Sequence, residues 1–137
     1  MQRGHSQDPY CIKNYGACVE GSLDIQYIMA ISQSPTTYFY VDYDSWWLLI
    51  FLALRANPPL VISISYGIEE YYVSPSVLNL FNILIIKLSA MGVTIVASSG
   101  DDGAPSTITS TSKCAYTPEF IGTSPYVLSI GATRVRT

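Results

Sequence analysis

Glu20 and Asp24 stand four residues apart in Val-Glu-Gly-Ser-Leu-Asp-Ile-Gln-Tyr, so a helix there turns both carboxylates to one face. Like charges at that spacing weaken a helix. The pair is either plainly solvated, which is the commoner fate of such spacing, or it is used. Its use would be acid–base work, in which two neighbouring carboxyls share one proton. Gly21 and Ser22 between them are poor helix formers, which a strained functional turn would explain.

A second constellation is Ser99-Gly100-Asp101-Asp102-Gly103, where two glycines flank two aspartates. Glycine lets a backbone take positive φ or approach a ligand closely. The loop reads as a tight turn with solvated aspartates, or as a magnesium site of the phosphoryl-transfer kind. A bare phosphate cradle is disfavoured by the sign of the charges. The third constellation, Ser65-Tyr66-Gly67, closes an apolar run. A glycine there lets an extended peptide lie along the backbone and pair as an added strand, or simply starts a turn.

The elements that must position these residues follow from periodicity and punctuation. Residues 1–17 are polar and expected to be irregular. Val19 to Ile31 carries Leu23, Tyr27, Ile28 and Ile31 at helical spacing and stops before Ser34-Pro35. Tyr38 to Tyr43 is aromatic and β-branched and predicts a strand. A helix is expected from Ser45 to Ala56, stopped by Asn57-Pro58-Pro59. Leu60 to Ser65 reads as a strand buried on both faces. Pro75 to Met91 predicts a long helix with Ser74 as cap and Gly92 closing it. Val93 to Ser98 is another buried strand, a polar loop spans roughly 105–124, and Tyr126 to Ile130 is the last strand. Alternating strands and helices imply an α/β fold around a parallel sheet with right-handed crossovers. Such sheets carry their sites at the carboxyl ends of the strands, where the loops at 65–67 and 99–103 fall.

Composition narrows the partners. The 137 residues are 49% hydrophobic and 12% charged, which excludes disorder and suggests a piece of a larger core. A net charge of −3 and seven scattered Lys and Arg leave no basic patch, so a nucleic-acid partner is not expected. The longest apolar run, Trp46 to Leu54, is far shorter than a membrane span, and the N-terminus has no signal-peptide core. Cys11 and Cys18 could bridge a short loop, leaving Cys114 over; three free thiols are the alternative. Zinc is not expected, since no CxxC pair exists and His5 stands apart.

Taken together the motifs resemble the sedolisin family of serine-carboxyl peptidases, most of all its tripeptidyl-peptidase I branch. Glu20-Gly-Ser-Leu-Asp24-Ile-Gln-Tyr is similar to that family's Glu-x-x-x-Asp helix, and Ile64-Ser65-Tyr66-Gly67 to its substrate strand. Ala97-Ser98-Ser99-Gly100-Asp101-Asp102-Gly103-Ala104 resembles its Ser-Gly-Asp-x-Gly-Ala loop. Pro118-Glu119-Phe120, Ser124-Pro125-Tyr126-Val127 and Ile130-Gly131-Ala132-Thr133 follow in register, so the resemblance covers about residues 17–135.

The resemblance implies a subtilisin-like parallel sheet flanked by helices, of which residues 1–137 would be part of a single catalytic domain. It implies a Ser-Glu-Asp triad with Glu20 as the base and Asp24 orienting it. Asp101 would stand in the oxyanion hole, where a carboxyl donates only when protonated, as in acid. Ser65, Tyr66, Gly67, Ser99 and Gly100 would hold the substrate backbone, and Asp102 falls on a variable position. A peptide or protein substrate, a prosegment in the full-length precursor and a lysosomal, vacuolar or secreted location are implied as well. So is calcium in the full-length family member, at a site outside this chain.

The family's nucleophilic serine belongs to a Gly-Thr-Ser motif far downstream, and nothing within these residues is expected to match it. Gly131-Ala132-Thr133-Arg134 corresponds to an earlier strand end and has no serine. The chain is therefore expected to be a fragment that does not hydrolyse peptides by itself. One alternative is a non-catalytic sedolisin-like binding module, against which the retention of Glu20, Asp24 and Asp101 counts. Another is an unrelated α/β domain with magnesium on Asp101 and Asp102, which leaves Glu20 and Asp24 unexplained.

Overall fold

The structure, a computed structural model, describes residues 9–13, 15–33, 36–40, 52–101, 103 and 118–133. The chain divides into two compact units, Met1–Tyr43 and Asp44–Thr137, and each is described by itself.

The first unit is helical where an irregular start was expected. Helix α1 spans Pro9–Lys13 and α2 spans Tyr15–Ser32. Pro9 suits a first helical position, where its missing N–H costs nothing. A disulfide joins Cys11 to Cys18 across seven residues, tying α1 to the first turn of α2. This closes the short loop and explains why structure begins earlier than periodicity alone suggests. The strand expected over Tyr38–Tyr43 is not formed at residues 38–40, which have no regular structure; 41–43 lie outside the described residues. Aromatic propensity needs a ladder partner to become a strand. Among the described residues these rings pack otherwise, with Phe39 against α2.

The second unit is α/β, as expected. Strand β1 (Val61–Ile64) leads through β2 (Ile68–Glu69) and a 3₁₀ turn (Glu70–Tyr72) to helix α3 (Pro75–Ala90). Then come β3 (Thr94–Ser98), β4 (Glu119–Phe120) and β5 (Leu128–Ile130). Strands β1, β3 and β5 form a parallel sheet in the order β1-β3-β5, with Ile62 opposite Ile95 and Val96 opposite Leu128. A second, two-stranded ladder pairs β2 with β4 antiparallel. Leu52 and Ala53 are helical and buried, but most of the helix expected over 45–56 lies outside the described residues.

Helix α3 ends as its sequence dictates. Gly92 takes φ +84, the Val93 N–H donates to the Leu88 carbonyl, and the Gly92 N–H to that of Ser89. This is a Schellman closure, which only a residue free of Cβ adopts cheaply. The helix lays Phe81, Ile85 and Leu88 on one face of the sheet, against Ile62, Ile95 and Ala97. Phe120 completes that core, its ring edge-on to Phe81 at 5.0 Å. The expectation of strands buried on both faces holds for one face only. Val61, Leu128 and Ile130 on the other face are about half exposed or more. Continuous apolar sequence marks a strand capable of double burial. Here α3 covers the face bearing Ile62, Ile95 and Ala97.

Candidate active site

In the first unit, α2 runs unbroken through Glu20 and Asp24, so their i, i+4 spacing does set both on one helix face. Both are half-buried. The two weak helix formers between them have local explanations. A Cβ added at Gly21 would stand 2.9 Å from the tip of the Phe39 ring, so the ring takes that space. Ser22 Oγ donates to the Cys18 carbonyl at 2.8 Å, one turn back along α2. Neither residue carries backbone strain, so the turn is built by packing.

In the second unit the parallel sheet sends β1, β3 and β5 out at one edge. Ser65-Tyr66-Gly67 leaves β1 there and Ser99-Gly100-Asp101 leaves β3 beside it, with Ile64 opposite Ala97 in the last paired register. The Ser99 N–H donates to the Ile130 carbonyl at 3.0 Å, which fixes the start of the second segment on β5. Gly100 takes φ +91 and Gly103 φ +72, so both glycines of the loop are used as left-handed turns. Ser65 and Gly100 are half-buried, while Tyr66, Gly67, Ser99 and Asp101 are exposed. The structure thus brings Ser65, Tyr66, Gly67, Ser99, Gly100 and Asp101 to one edge. Glu20 and Asp24 belong to the other unit, and Asp102 lies outside the described residues. Among the described residues no group of three or more His, Cys, Asp and Glu side chains gathers as a metal-ligand set.

Sequence reasoning passed over two residues, one of them away from this edge, and its expectation that nothing here matches Gly-Thr-Ser was wrong. Gly122-Thr123-Ser124 spells out Gly-Thr-Ser, so Ser124 is an obvious candidate nucleophile. The fold gives it other work. Ser124 is 7% exposed, and its Oγ donates to Asn82 Oδ1 on α3 at 2.7 Å while accepting from the Tyr126 N–H at 3.4 Å. A hydroxyl buried and spent on a helix is not poised to attack a peptide carbonyl. The preceding Ile121, a β-branched residue at φ 92, holds the turn that buries it. The second residue is Glu119, whose carboxylate lies beside Gly67 and Gly100. Its signal was the motif Pro118-Glu119-Phe120, to which no role was attached.

No family model matches the chain. Among curated proteins it is 34% identical to physarolisin of Physarum polycephalum over 94% of its length. It is 32% identical to tripeptidyl-peptidase 1 of Bos taurus and 31% to that of Homo sapiens, each over 85% of its length. The chain spans about a quarter of the length of these relatives, 25% of the first and 22% of the others. No described helix is long and apolar enough to cross a membrane.

Proposed function

We propose that this chain, a stretch of sedolisin-family sequence, carries the carboxyl groups and substrate-strand ends of an acid-acting serine-carboxyl peptidase. Glu20 is the base that takes the proton of a serine nucleophile, and Asp24 orients it. Asp101, protonated in acid, donates to the oxyanion. Ser65-Tyr66-Gly67 and Ser99-Gly100 line the extended peptide. A glutamate accepts a proton usefully only near its own pKa, which suits catalysis in acid. Its substrate is a peptide, and the names tripeptidyl-peptidase 1 among its relatives favour release of tripeptides. A lysosomal, vacuolar or secreted location fits such chemistry, as do a prosegment partner and calcium supplied with the remainder of a full-length peptidase.

The observation that carries this reading is that the adjacent parallel strands β1 and β3, paired as far as Ile64 and Ala97, lead at one edge of an α/β sheet into the segments bearing Gly67 and Gly100-Asp101. Backbone at that edge can accept a peptide while Asp101 stands beside it. The nucleophile is not Ser124, so residues 1–137 alone should not turn over peptides. Exchange of the matched segment of bovine tripeptidyl-peptidase 1 for this chain tests the reading. A folded chimera that cleaves a tripeptide reporter in acid supports it; a folded chimera without turnover refutes it.

A further inference from the structure

We propose that Glu119 is a positioning residue whose carboxylate sets the spacing between the two substrate-side strand ends, Ser65-Tyr66-Gly67 and Ser99-Gly100-Asp101. The spacing itself is geometry; that it serves a peptide rests on the peptidase reading above.

The backbone of Glu119 is held from three sides. Strand β4 pairs with β2, so Glu119 stands opposite Glu69 and Phe120 opposite Ile68. The Glu70 N–H donates to the Pro118 carbonyl at 3.0 Å. Phe120, next in sequence and on the opposite face, is 2% exposed and edge-on to Phe81. With Phe120 fixed in the core, Glu119 must turn the other way. Its half-buried carboxylate lies in the gap between the two strand ends.

The glycines report that position. A Cβ built on Gly100 would stand 2.6 Å from Glu119 Cδ and 2.8 Å from Oε1. One built on Gly67 would collide with Glu119 Oε2 and lie 3.3 Å from Cδ. Gly100 needs glycine on two counts, since its φ is +91. Gly67 has no left-handed backbone, so conformation does not require glycine there. The Glu119 carboxylate occupies that space and must move aside for any Cβ placed there. One side chain therefore occupies both missing Cβ positions and fills the gap between β1 and β3 where they leave the sheet.

The test is a cycle on the 137-residue chain itself. Gly67→Ala should lower the melting midpoint by at least about 4 °C with Glu119 present. It should cost little in a Glu119→Ala background. Glu119→Gln, which fills the same space, should keep the full penalty. Backbone amide resonances of residues 65–67 and 99–101 should move in Glu119→Ala and stay in place in Glu119→Gln, with those of Val61 and Thr94 unmoved in both. Should Gly67→Ala fail to fold, recovery of folding by Glu119→Ala carries the same meaning. An equal penalty in all backgrounds, or failure to fold in both, overturns the proposal. The obstacle would then be the Phe120 carbonyl, 3.2 Å from the Gly67 Cβ position. Melting and amide shifts do not depend on peptide hydrolysis, so this result stands or falls apart from the peptidase reading.

Discussion

Ser124 on the turn after β4 gives its hydroxyl proton to Asn82 on α3, at 2.7 Å. The contact spans 42 residues of sequence and pins the 121–127 turn to the helix that backs the sheet. It also removes the one Gly-Thr-Ser serine of the chain from nucleophilic service. A serine that attacks must present its oxygen to substrate and its proton to a base. Ser124 presents both to the scaffold.

Ser124→Ala should therefore destabilise the chain by about 1–3 kcal/mol, since it leaves the Asn82 carbonyl oxygen with a lost partner. Adding Asn82→Ala should cost less than the sum of the two single changes. Urea unfolding of the four forms measures this. A fluorophosphonate probe should leave Ser124 unlabelled; stoichiometric labelling there would restore it as a nucleophile.

Reduction of Cys11–Cys18 should loosen the helix that carries Glu20. Closing a loop of seven residues restricts the unfolded chain by about 2 kcal/mol on the entropic account. Amide exchange should quicken in α1 and the first turns of α2 on reduction, and stay unchanged in α3. Uniform quickening would mean that the bridge supports more than its own unit.

Gly21→Ala combines a gain and a loss. Alanine improves an interior helix position by about 1 kcal/mol, but its Cβ meets the Phe39 ring. The gain should be absent or reversed in the native chain and recovered once Phe39→Ala frees the space. Thermal melts of the two single variants and the double variant check it. A full gain with Phe39 in place would show that the ring yields freely.

Much of this arrangement was legible in the sequence where one local rule acted alone. Pro75 and Gly92 bound α3 within a residue of expectation, because proline and glycine act through their own backbone. The edge bearing Gly67 and Gly100 followed from strand–helix–strand order. Two-residue strands such as β2 and β4 were not legible, since two residues have no period to detect. Strand pairing of 38–40 was overestimated from propensity, which cannot say whether a partner stands alongside. The roles of Ser124 and Glu119 depend on Asn82, Gly67 and Gly100, all distant in sequence, and only the fold reveals them.

In the chimera proposed above, Asp101→Asn should retain part of the activity and shift the optimum toward higher pH, while Asp101→Ala should lose about 10²–10³ in kcat. Asparagine donates a hydrogen bond at every pH, whereas a carboxyl donates only when protonated. The shift should be partial, because Glu20 still titrates as the base. Equal impairment of both variants at every pH would assign the loop a structural role instead.

The most direct measurement is kcat/KM of that chimera with Glu20 intact and with Glu20→Gln, across the acid range, alongside the melting curve of each. Glutamine keeps the size of the side chain and cannot take the serine proton. The expected result is a loss of at least about 10²-fold at every pH with an unchanged melt. Equal kcat/KM for the two forms, both folded, would contradict the assignment of Glu20 as the catalytic base.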